Sequence, residues 1–202
     1  IYFPYSVELL AENMAYNSQP YNLATYVIYK QNVETQDWET VTLSSVVDVL
    51  SVGNGILYSE YSDSTLPPVS VGDYTASLKL NKLNSYGEEL TTLFKDFSIV
   101  PKEVEIVWDE ATRTFTYDGH SHVPTIKTVT GIVDGDTFTV DVTGEGTIVG
   151  NYTATAVLQG DKARNYKLKG NNTVAFVIIP DKSAQTNLTY TQMPTANDLL
   201  YD

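Results

Sequence analysis

Val71–Leu80 reads VGDYTASLKL, and Val149–Leu158 reads VGNYTATAVL. Two near-identical phrases, 78 residues apart and with no catalytic group in either, mark an internal duplication. In the first phrase Tyr74, Ala76, Leu78 and Leu80 fall on one side of an extended chain, and Thr75, Ser77 and Lys79 on the other. A period of two predicts a strand with one buried and one wet face, as in antiparallel sheets. The phrase is therefore read as a core strand written twice, and the fold as all-β.

The duplication extends in both directions. FSIVPK from Phe97 matches FVIIPD from Phe176 at an offset of 79. VELLAENMAYNSQP from Val7 matches VEIVWDEATRTFTYDGHSHVP from Val104, with Tyr16 and Tyr117 offset by 101. The first copy therefore holds about 22 extra residues upstream of Val71. Alternation recurs at Phe138, Val140 and Val142, and turn pairs stand at Asn54-Gly55, Tyr86-Gly87, Asp118-Gly119 and Asp134-Gly135. Asn-Gly and Asp-Gly supply the positive φ that tight hairpins need. About seven short strands per half is the pattern of two tandem immunoglobulin-like β-sandwich domains. In such sandwiches a tyrosine early in a core strand ties its hydroxyl to backbone at a corner, and Tyr74 and Tyr152 stand where it would. The expected boundaries are 1–102 for the first repeat, with an insertion at about 35–66, and 103–182 for the second. Pro101 and Pro180 close the last strand of each. Residues 183–202 are a tail or the start of a third repeat, since LTYTQMP loosely matches FTYDGHSHVP.

Composition narrows the function classes. The chain has 25 acidic and 12 basic residues, a formal charge of −13, which repels nucleic acid and anionic membranes. Cysteine is absent, removing disulfides, thiol chemistry and thiolate-bound zinc. A cysteine-free β protein rich in Thr, Val and Tyr reads best as bacterial. No apolar run reaches the roughly 20 residues of a membrane helix, and no leader precedes Ile1, so the chain reads as a monomeric segment of a longer protein.

The second copy resembles the MBG-type repeats of bacterial surface proteins. Tyr117-Asp118-Gly119, the Gly131–Asp136 turn, Gly150-Asn151-Tyr152-Thr153-Ala154 and Asn165-Tyr166-Lys167-Leu168 carry the resemblance over roughly 103–180. It implies a tandem-repeat, adhesin-like protein at the cell surface or outside the cell, with no enzymatic activity of its own. The first copy lacks the Tyr-Asp-Gly and Asn-Tyr-x-Leu elements, so its membership rests on internal similarity.

No enzyme motif emerges: neither Gly-x-Ser-x-Gly nor His-Glu-x-x-His occurs, and there is no phosphate loop. No catalytic residue and no cofactor is assigned. His120 and His122 could share a strand face as metal ligands, but an ordinary turn-to-strand position accounts for them, and no metal site is expected. Asp134, Asp136 and Glu145 do not fit a calcium loop; Asp134-Gly135 reads as a hairpin turn. The insertion is the best binding candidate. ATYVIYKQNVETQDWETVTL reads as a hairpin turning at Asn32–Asp37, and Trp38, Tyr29, Tyr58 and Tyr61 are the ligand-binding candidates. Covering the hairpin and core is the competing role for these rings. Two functions follow: a non-catalytic adhesin or stalk segment meeting a host glycoprotein or polysaccharide, or a carbohydrate-binding accessory module of a larger secreted enzyme. Lys79, Lys102 and Lys167 fall on outward or turn positions, so no isopeptide cross-link is expected.

Overall fold

The structure, a computed structural model, describes residues 4–59, 64–84 and 87–183. Tyr61, Tyr86 and the tail from residue 184 lie outside the described residues. The fold is all-β: seven strands in each half, three one-turn 3-10 helices, and no α-helix among the described residues.

The first half holds β1 (Tyr5–Leu10), β2 (Met14–Ala15), β3 (Thr25–Gln31), β4 (Trp38–Val41), β5 (Leu50–Ser59), β6 (Gly72–Asn84) and β7 (Gly87–Val100). The second holds β8 (Lys102–Trp108), β9 (Thr114–Thr116), β10 (Ile126–Thr130), β11 (Thr139–Thr143), β12 (Gly150–Gln159), β13 (Tyr166–Leu168) and β14 (Thr173–Ile179). Each half makes one three-stranded and one four-stranded sheet. The four-stranded orders, β2-β7-β6-β5 and β9-β14-β12-β11, are the same order written twice. In both, the short second strand lies parallel to the last: Met14 opposite Ile99, and Phe115 opposite Ile178. The three-stranded sheets differ. The first half adds the hairpin strand β4 beside β3, whereas the second adds β13 parallel to β8.

The duplicated phrase forms β6 and β12, and it packs as its alternation predicts. Ala76, Leu78, Leu80 and, in the second copy, Ala154 and Ala156 are buried. Each buried leucine contributes about 1.5–3 kcal/mol of hydrophobic stabilisation. Tyr74 lies opposite Phe97 and Tyr152 opposite Phe176, and each pair of rings is stacked, at 5.6 and 5.3 Å between centroids. The Tyr74 hydroxyl donates to the Ser70 carbonyl and the Tyr152 hydroxyl to the Ile148 carbonyl, both at 2.8 Å. The two corner tyrosines are the same device. Gly144 turns the chain ahead of β12 at φ +96°, where a methyl would strike the Thr153 carbonyl oxygen.

Contacts divide the chain into two compact units. One comprises Ile1–Ile106, Val129–Val140 and Leu158–Gly170; the other comprises Val107–Thr128, Asp141–Val157 and Asn171–Asp202. The first is organised on Leu50, Leu78, Ile99, Tyr16 and Tyr21, and also on Val104 and Tyr166. The second is organised on Ala154, Phe176 and Ile178, with Trp108, Phe115 and Tyr152 packed around them.

Candidate functional site

The hairpin of the first half turns at Asn32–Asp37, where the Asn32 amide donates to the Asp37 carbonyl at 2.9 Å. On its strands Trp38 lies opposite Gln31, and Thr40 opposite Tyr29. Opposite residues share a face, so Trp38 and Tyr29 stand one step apart diagonally on the same side of the β1-β3-β4 sheet, away from buried Ile28. Trp38 is 50% exposed. The Tyr29 hydroxyl is 3.4 Å from Glu8 Oε2. Tyr58 takes the other role weighed for these rings. It lies on β5, its ring edge-on to Tyr21 and Phe97 in the core, and burial raises its phenol pKa. Of the four candidates, two share an outward face, one packs half-buried against the core and Tyr61 is not described.

A second site was not legible in the sequence. Tyr16 and Ser18 of the first copy meet Asp136, Lys162 and Tyr166 of the second, all within the first compact unit. The Asp136 side chain is only 4% exposed. Its Oδ2 accepts the Tyr16 and Tyr166 hydroxyls, both at 2.7 Å. Its Oδ1 takes Ser18 Oγ at 3.3 Å and the Lys162 ammonium at 3.5 Å. The Val133 amide donates to the Tyr166 hydroxyl, and the two tyrosine rings meet edge-on at 5.5 Å. A buried carboxylate is tolerated only when its lone pairs are met, and here they are. The Tyr166 hydroxyl is the largest influence holding Asp136 below the usual carboxylate range, against burial, with Tyr16 and Lys162 adding to it. The Lys162 pKa is raised, mainly by Tyr16 and then by Asp136. Burial first, then the bond to Asp136, pushes Tyr166 up to about 12. A second tie lies nearby in sequence: buried Asn165 accepts the Val71 amide on its Oδ1 at 3.1 Å. Asn165 and Tyr166 thus both engage the first copy. The sequence signal available for this joint was Tyr16 matching Tyr117, but nothing in the alternation separates Asp136 from a solvated turn acid.

His120 and His122 are organised by Asp118. His122 stacks on Phe115, with ring centroids 4.6 Å apart, and its Nε2 is 2.8 Å from Asp118 Oδ1. The His120 amide, then the His122 ring, hold the Asp118 carboxyl below its ordinary value. Among the described residues no group of three metal-ligating side chains is placed to hold an ion. A groove of about 570 Å³ lies on the outward face of β6 and β7, lined by Asn13, Ser59, Asp73, Thr75, Asp96 and Ser98 among others. Its two carboxylates are each held by a hydroxyl across the strands, Ser98 to Asp73 at 2.6 Å and Thr75 to Asp96 at 2.7 Å. No helix of the described residues is long and apolar enough to cross a membrane. No protein-family model, curated protein or solved structure matches the chain.

Proposed function

We propose that the chain is a non-catalytic tandem-repeat segment of a bacterial cell-surface or secreted protein, built from MBG-type repeats, with an adhesin-like or stalk role. Each half is read as an immunoglobulin-like sandwich of three strands against four. One observation carries the proposal: the duplication reaches individual hydrogen bonds, and the two copies are tied through a buried carboxylate. A stalk needs successive copies held in one geometry, and hydrogen bonds to a buried charge favour one arrangement over loose alternatives. The outward pair Trp38 and Tyr29 favours a second reading, a carbohydrate-binding accessory module, because such rings stack on sugars. A glycan and host-glycoprotein array probed with the full chain and with Trp38→Ala tests both. The stalk reading expects no signal that depends on Trp38. A signal abolished by Trp38→Ala transfers the function to the accessory module, and turnover of any arrayed polysaccharide overturns both readings.

A further inference from the structure

The first copy presents its end to the second through Tyr16, which is 1% exposed. The second copy repeats the backbone of that end. The Tyr16 amide donates to the Val100 carbonyl at 2.9 Å, and the Tyr117 amide to the Ile179 carbonyl at 2.9 Å. Asn17 Oδ1 accepts the Gln19 amide at 2.9 Å, and Asp118 Oδ1 accepts the His120 amide at 2.9 Å. Ser18 holds φ +62°, a conformation rare outside glycine, and Gly119 holds φ +82° at the matching place. Val71, which donates to Asn165, corresponds to Val149. Yet Tyr117 is 42% exposed and Val149 47% exposed, with Ile148 exposed beside it. The same surface is covered in one copy and bare in the other.

We infer that Tyr117, Ile148 and Val149 form the docking surface for a further copy of this repeat, one presenting the counterparts of Asp136, Asn165 and Tyr166. This deepens the tandem-repeat reading and rests on it. The occupant is a following repeat rather than a second molecule of this chain. Asp136 already accepts two tyrosine hydroxyls, a serine and a lysine, and Asn165 is engaged by Val71, so the described residues offer no vacant copy of this acceptor set. In the docked state the Tyr117 hydroxyl donates to the incoming carboxylate as Tyr16 does to Asp136, and the incoming asparagine accepts the Val149 amide.

Tyrosine nitration mapped by mass spectrometry tests this on the full chain and on a version in which residues 102–180 are duplicated in tandem after Pro180. Ile126→Val in the inserted copy separates the two otherwise identical peptides by mass. In the unmodified chain Tyr117 should react and Tyr16 should be protected. In the duplicated chain the original Tyr117 should react at least about tenfold more slowly, as a residue reached only through local opening does, while the terminal copy's tyrosine stays reactive. Replacing the inserted copy's counterpart of Asp136 by Asn should restore reactivity. An original Tyr117 equally reactive in both chains overturns the inference while protected Tyr16 leaves the tandem reading intact. If Tyr16 reacts as fast as Tyr117 in the unmodified chain, the joint and the tandem reading fall together.

Discussion

Replacing Asp136 by Asn tests the joint with almost no change in shape. Oδ2 accepts two phenol hydroxyls at 2.7 Å, and hydrogen bonds to a charged group are worth about 1.5–3 kcal/mol each. The amide keeps one oxygen. If the oxygen faces the tyrosines, both bonds lose their charge and the amide turns its donors towards Lys162. If the nitrogen faces them, both hydroxyls lose the oxygen that accepts them. The Lys162 side chain is 47% exposed and returns to water in either case. The loss should therefore be about 2–4 kcal/mol at neutral pH, below that for stranding a fully buried partner charge. Urea unfolding followed by tryptophan fluorescence measures it, with an unchanged slope expected, because the area exposed on unfolding is unchanged. The effect should also depend on acid. The native carboxyl is held below its ordinary value, so its contribution is present above the unfolded value of about 4 and is lost as pH falls through the lower folded value. The gap between the native chain and the variant should shrink at strongly acidic pH. A loss under about 0.5 kcal/mol at neutral pH, the level of surface substitutions, would refute the reasoning. So would a gap that does not change with acid.

Gly144→Ala should destabilise more than Gly135→Ala, since both have positive φ, worth about 1–2 kcal/mol of strain, but only Gly144 also meets a backbone oxygen; equal midpoints in urea would contradict this. In an ultraviolet phenolate titration one tyrosine should ionise last, near 12, and Tyr166→Phe should remove that step. Because the Tyr166 pKa is raised in the fold, its contribution is intact below about 10 and lost as pH rises through about 12; a single step near 10 with the fold retained would count against it. The intact mass should equal the sequence mass, because Lys162 is held protonated and Asp136 ionised, which leaves neither nucleophile nor leaving group for amide formation. A mass short by one water would show otherwise.

The alternation in VGDYTASLKL was enough to place Ala76, Leu78 and Leu80 in the core, because a strand with one wet face writes its burial into every second residue. The same rule put Ser77 on the wet face, yet it is buried, since Leu57 and Phe94 stand opposite it on the neighbouring strands. The Asn32–Asp37 turn was legible from local chemistry alone. Tyr58 was not separable from Trp38, because an aromatic ring serves a core and a platform equally well until its sheet is known. The first copy also lacked the Tyr-Asp-Gly signature while keeping its geometry. Asn17 supplies the same capping oxygen as Asp118, and Ser18 accepts the strained φ that Gly119 takes freely. The joint stayed hidden because Asp136 is 120 residues from Tyr16, and no local pattern encodes a contact at that range.

The lengths of the strands set an order of assembly. β6 and β7, of 13 and 14 residues, pair from Gly72 opposite Ile99 to Asn84 opposite Gly87, so each new contact closes only a small loop. In the second half the consecutive neighbours β11 and β12, of 5 and 10 residues, make a shorter pair. Parallel pairs between distant segments are needed in both halves: β2 with β7 in the first, and β8 with β13 and β9 with β14 in the second. Non-local pairing of that kind is slow, because the entropy of ordering the loop is lost before the contact rewards it. Gly72–Val100 is thus the natural folding nucleus, and substitutions along it should change the refolding rate most. The cover over Tyr16 is complete only once β13 has docked, because Tyr166 of that strand packs edge-on to its ring and shares Asp136 with it.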